Sequence, residues 1–238
     1  GSFEIKNARL VEKMLQQYVG ANLKALAPEQ LDQVADDFES LPMRFMNFHA
    51  GSDLGQVLEA MDFAVYRDDV KHIILDNLQF MLSGQVSSSG NGYERFASQE
   101  SAIEQFRHFA TARNVHISLV MHPRKEPDDQ KLGLSSIFGS AKATQEADNV
   151  VILQKVDTED GGHAKKFLDV RKNRYDGELG STQLFFNSSA QLFYEAEKSP
   201  KKRRRNKPLP SDVETNSSSI VMEEEEEEVV VAESILMY

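Results

Sequence analysis

Residues 72–80 read HIILDNLQF. The apolar run 73–75 stops at Asp76, which predicts a short strand buried on both faces with a carboxylate at its carboxyl end. Working outward, Leu54, Val57, Leu58, Met61 and Val65 fall on one helical face, with Ser52 or Asp53 as the cap. Before that helix, residues 43–48 (MRFMNF) alternate and read as a strand. Residues 6–40 read as two helices. Leu10, Val11, Met14, Leu15 and Tyr18 recur at helical spacing, and Pro28 restarts a second helix through Leu31 and Val34.

On the other side, residues 83–92 (SGQVSSSGNG) are a loop by composition. A long helix over 93–113 leads into a strand at 115–121 that ends at His122. A polar loop at 123–136 and a short helix near 140–147 follow. Strands at 150–153, 166–172, 182–187 and 192–195 come next, with a DTEDGG turn at 157–162 after the first. Strands alternating with helices, then a run of short strands, predict an α/β sheet with a mainly parallel core and an antiparallel edge. Ligands of such sheets sit at the carboxyl ends of the strands, which puts Asp76 and His122 at one edge.

Composition sets the limits. The length of 238 residues suits one domain, placed at 1–197, plus an extra segment at 198–238. No apolar run approaches the roughly 18–20 residues of a membrane span. There are no cysteines, which excludes disulfides and thiolate metal sites. The first residues, GSFEIKNARL, form neither a signal peptide nor a transit peptide. Net charge is −11, so any nucleic-acid contact must come from a few cations on specific loops. Residues 198–238 hold seven Lys/Arg and nine Asp/Glu, net −2, which leaves −9 on the rest. With KKRRR at 201–205, glutamates at 223–228 and no apolar periodicity, this segment reads as a disordered charged tail. Its basic run suits a nuclear import signal, a DNA-binding arm or simple solvation.

Several residues carry candidate chemistry. An aspartate ending an apolar strand can hold Mg²⁺ through a water, or can cap a loop. His122 can donate to a γ-phosphate, or be an ordinary edge histidine. His116 and His122 lack the companion ligands of a zinc site. Lys172 and Arg174 lie two apart at a strand end and point to one face, as an arginine finger or as solvated strand charges. Gly139, Ser140 and Lys142 suit a loop that approaches a DNA phosphate, or a turn into a helix. Arg124 and Lys125 can reach the same strand or remain solvated. No G-x-x-x-x-G-K-[ST] phosphate loop occurs in the 238 residues.

Taken in order, ILDNLQFML, HPRKE, SIFGSAKATQEADNV and VRKNRYDG closely resemble the motor motifs of the Twinkle family of mitochondrial replicative DNA helicases. They resemble the phage primase–helicases and bacterial DnaB more distantly. The resemblance covers roughly residues 1–195. It implies a RecA-like motor truncated at its N-terminal side, using ATP or another NTP with Mg²⁺. It also implies single-stranded and forked duplex DNA as partners, a homo-hexamer or heptamer, 5′→3′ movement, and the mitochondrial matrix nucleoid.

By the same resemblance Asp76 is the Mg²⁺-side aspartate and His122 the γ-phosphate sensor. Arg174 is the finger offered to a neighbouring subunit, with Lys172 beside it. Gly139, Ser140 and Lys142 belong to the DNA-channel loop. SFEI at residues 2–5 is similar to the family's SLEM, which makes Glu4 the candidate general base, and Phe186 lies near the adenine. Without a phosphate loop the chain is expected to be a poor ATPase and a poor hexamer, with Glu4 loosely ordered near a chain end. The alternative is a non-catalytic short product that binds DNA or helicase subunits and modulates the ring. A strand-pairing recombinase shares the fold, but HPRKE and KNRYDG favour the helicase branch.

Overall fold

Helix α1 (Asn7–Val19) stops where Gly20 takes φ 71°, the left-handed cap conformation that glycine adopts without a Cβ clash. The computed structural model describes residues 1–48, 50–83, 92–123, 131–137, 141–156, 164–195 and 233–237. Helix α2 (Pro28–Glu39) begins on its proline, and Phe38 meets Tyr18 of α1 edge to face at 5.8 Å. Helix α3 (Leu54–Asp68) is capped by Asp53, whose carboxylate accepts from the Gln56 amide at 3.1 Å. The apolar stripe read from the sequence is the face it buries, through Leu54, Val57 and Met61.

The remaining elements are β1 (His72–Leu75), α4 (Leu78–Met81), α5 (Gly92–Arg113), β2 (His116–Met121), α6 (Ala141–Glu146), β3 (Asn149–Val156), β4 (Lys165–Asn173), β5 (Gly180–Asn187), β6 (Leu192–Glu195) and β7 (Glu233–Met237). The strands form one sheet in the order β1-β2-β7-β3-β4-β5-β6. β1 and β2 pair in parallel, and every other neighbouring pair is antiparallel. Because β7 opposes both β2 and β3, strands β1, β2 and β3 share one direction, and β4–β6 form the antiparallel edge. The core lies where Met61 of α3 and Ile103, Phe106 and Ala110 of α5 cover Leu75, Ile117, Leu119 and Ile152 of the sheet. Phe106 is fully buried, and truncating such a side chain to alanine costs about 3–5 kcal/mol.

Three expectations are corrected. Residues 43–48 form no strand, because no described strand lies beside them to complete a ladder. Their alternation still matters, since Met46 and Phe48 pack on the core and the Met46 carbonyl accepts from Asn7 Nδ2 at 3.1 Å. Strand β1 buries only the Ile73 and Leu75 face, whereas Ile74 is 52% exposed, because β1 ends the sheet order and only one of its faces is covered. Finally, the segment 198–238 is not tail throughout. Residues Glu233–Met237 enter the sheet as β7, where the open edges of β2 and β3 supply backbone partners on both sides. Residues 198–232 and 238 lie outside the described residues.

Candidate active site

Leu75 stands opposite Leu119 in the parallel β1–β2 pair, so the residues following each strand leave the sheet at one edge. Asp76 and His122 both emerge there, as the strand reading expects. The first residues of the chain join them. Ser2 bridges Asp76 in parallel, the Phe3 amide donates to the Asp76 carbonyl at 2.6 Å, and the Asp76 amide donates to the Gly1 carbonyl at 2.9 Å. The Ser2 hydroxyl donates to Asp76 Oδ2 at 3.2 Å. Phe3 is buried and stacks on Phe48 at 6.2 Å. The expected looseness of Glu4 is therefore corrected, because its neighbours are pinned by backbone pairing and aromatic burial.

Asn77 ties this edge together. Its Nδ2 donates to Glu4 Oε2 at 2.8 Å and lies 2.8 Å from His122 Nε2. Its Oδ1 accepts from the Phe80 amide at 2.9 Å and so caps α4. Glu4 Oε2 and His122 Nε2 are themselves 3.6 Å apart. Gln79 clasps the His122 backbone, donating to its carbonyl at 3.1 Å and accepting from its amide at 3.2 Å. The Glu4 side chain is 32% exposed and that of His122 25%, so water reaches the carboxylate while its direction is fixed. Such a carboxylate can take a proton from a water, and the imidazole beside it can donate to an anion.

Asp76 fits a hydrated Mg²⁺. It offers one carboxylate with the Ser2 hydroxyl beside it, and no cluster of three or more His, Asp or Glu suited to a metal occurs among the described residues. Magnesium keeps several waters and is held by one or two carboxylates in such sites.

Lys172 and Arg174 lie elsewhere. β4 is antiparallel to β3, with Asn173 opposite Asn149, so the end of β4 meets the start of β3. That is the sheet edge opposite to Asp76, and β4 stands four strand positions from β1, about 19 Å at ordinary strand spacing. Both side chains reach the same neighbourhood, as expected from their two-residue spacing. Lys172 Nζ donates to the Thr144 carbonyl at 2.6 Å and the Gln145 carbonyl at 3.1 Å. Arg174 Nη1 donates to Asp148 Oδ1 at 2.9 Å. Burial, and then the adjacent Arg174, pull the Lys172 ammonium below its usual range.

Phe186 is not brought to the Glu4–Asp76–His122 group. It sits on β5, five positions from β1, with its ring 4.8 Å from Phe193 and the Lys166 ammonium 4.5 Å over its face. Arg124, Lys125, Gly139 and Ser140 lie outside the described residues. Lys142 belongs to α6, with its side chain outside the described set.

Sequence reasoning missed the roles of Asn77, Gln79, Asp148 and Arg107. For Asn77 and Gln79 the only signal is adjacency to Asp76, which equally fits loop capping. Asn77 does both jobs.

The described residues contain no helix long and apolar enough to cross a membrane. A solved structure of the ATPase domain of a phage helicase shares the fold, with a TM-score of 0.62 at 14% identity over 82% of this chain and 73% of that one. The chain thus has the α/β fold of a RecA-like ATPase domain. The family profile described as an AAA domain matches residues 1–128, more than half the chain and the part holding Glu4, Asp76, Asn77 and His122, so the chain belongs to the AAA domain family.

Proposed function

We propose that these residues are the motor of an ATP-driven DNA helicase of the DnaB type, acting 5′→3′ in mitochondrial DNA replication. The observation that carries this reading is the Glu4–Asn77–His122 contact set beside Asp76. A base, an imidazole and a Mg²⁺-side carboxylate converge where a nucleotide γ-phosphate is handled in such sheets. Glu4 takes the proton of the attacking water, with Asn77 holding its carboxylate. His122 donates to the γ-phosphate and feels its departure. Asp76 holds Mg²⁺ through water, and the ion neutralises phosphate charge.

Arg174 lies at the opposite sheet edge, so it serves a neighbouring subunit's nucleotide rather than its own. That supports a hexameric or heptameric arrangement. Residues 138–142, with Arg124 and Lys125, contact single-stranded DNA at forks in the mitochondrial matrix. The 238 residues hold no G-x-x-x-x-G-K-[ST], so on this reading they do not hydrolyse ATP without a phosphate loop from other sequence.

The test is Arg174→Ala in protein that includes its phosphate loop. DNA-stimulated hydrolysis is expected to fall by the ~10³–10⁵-fold that an arginine finger supplies, with nucleotide binding retained. Full ATPase in the variant removes the finger role.

A further inference from the structure

Asp148 lies between α6 and β3 with its side chain 0% exposed. A buried carboxylate is unfavourable unless it is paired, and two guanidiniums surround this one. Arg107 of α5 donates through Nη1 to Oδ2, and Arg174 donates through Nη1 to Oδ1 at 2.9 Å. The Arg174 amide also donates to the Asp148 carbonyl at 3.0 Å, so one residue holds both the main chain and the side chain of Arg174. Lys172, two residues earlier, closes the last carbonyls of α6 through Thr144 and Gln145. The Arg174 side chain remains 56% exposed. A guanidinium carries five donors, and the Asp148 contact engages the Nη1 end alone.

We infer that Asp148 is the positioning residue of Arg174, fixing the guanidinium at the outer edge of the sheet while leaving it open to a neighbour's phosphate. Arg107 neutralises the second carboxylate oxygen and anchors the group to α5. Lys172 keeps α6 docked on the strand end that carries Arg174. A finger held this way is preorganised, which matters because misplacement by about 1 Å can cost ~10²-fold in rate. The inference rests on the finger reading of Arg174.

The test is a double-mutant cycle in phosphate-loop-containing protein, reading DNA-stimulated kcat, KM for ATP, binding of a fluorescent ATP analogue and the thermal midpoint. Asp148→Asn is expected to lower kcat by ~10–10²-fold with KM and analogue binding within about twofold. Combined with Arg174→Ala it should add nothing to the loss caused by Arg174→Ala alone, because Asp148 acts through that side chain. Losses that multiply in the double variant overturn the positioning role while the finger stands. Full activity of Arg174→Ala overturns both. Should Asp148→Asn fail to fold, Arg107→Lys keeps every charge and loses only the planar fork. Its cycle with Arg174→Ala makes the same comparison, with the same two outcomes.

Discussion

The Glu4 carboxylate and the His122 imidazole stand 3.6 Å apart, and a single amide group, that of Asn77, touches both. A change in one of them is therefore felt by the other without any movement of the sheet. Asn77 also caps α4, so the group that links base to imidazole is part of the fold itself.

Asn77→Asp separates these duties. Its carboxylate still accepts from the Phe80 amide, so α4 keeps its cap and the thermal midpoint should hold. The donor to Glu4 is lost and a like charge faces it. Hydrolysis is expected to fall toward the ~10²–10⁴-fold that a positioned base contributes, with nucleotide binding kept. An unchanged rate would show that Glu4 is not the base. Asn77→Ala removes the cap as well, at about 1 kcal/mol, and should lower the midpoint by ~2–4 °C.

Lys142→Ala tests the DNA loop. Removing one cation from a DNA phosphate reduces the slope of log K against log salt by about 0.7–0.9. Single-strand binding titrated from low to high salt should show that reduction. The parent slope in the variant would exclude Lys142 from the residues that touch DNA.

The start of β2 predicts a pH response. His72 Nε2 lies 2.8 Å from the Ser118 hydroxyl, and its ring is 4.6 Å from that of His116. Burial lowers both pKa values below the ordinary 6.5; His72 lowers His116 further, and Asp148 partly offsets this. Below pH 6.5 the unfolded chain then binds more protons than the folded one, so stability rises with pH through this window. It is fully present above about 6.5 and is lost as pH falls toward the folded values. Thermal scans from pH 7 to 5 should show a falling midpoint, and His72→Gln with His116→Gln should flatten it. A double variant with the parent slope would place the response elsewhere.

Much of this architecture was legible because local rules agree with the packing. The stripes of α1 and α3, the proline of α2 and the apolar runs of β2 and β3 each mark an element that forms. Asp76 and His122 were legible for the same reason, as each ends a strand of the parallel pair. Long-range partnership was not. The alternation of residues 43–48 cannot reveal that no strand lies alongside, nor can 73–75 reveal that Ile74 faces out. Asp148 reads as one acidic residue after a short helix. Its importance arises because α5 and β4, far apart in sequence, each bring an arginine to it.

Strand β7 gives a further expectation. Removing residues 228–238 from the 238-residue chain leaves the facing backbones of β2 and β3 unpaired, and open strand edges recruit other chains. The shortened chain should melt earlier and scatter light in proportion to its concentration. A midpoint and scattering equal to the parent's would show that the sheet does not depend on β7.

The opposed placement of Asp76 and Arg174 gives the molecule a polarity of assembly. What one flank donates, the other flank receives, so subunits add by repeating a single head-to-tail contact rather than by matching a patch with itself. An open series of such subunits always ends with one unused arginine and one unserved carboxylate site. Only closure of the series on itself makes the number of complete sites equal the number of chains. One chain defective at Arg174 then silences its neighbour's site and leaves its own intact.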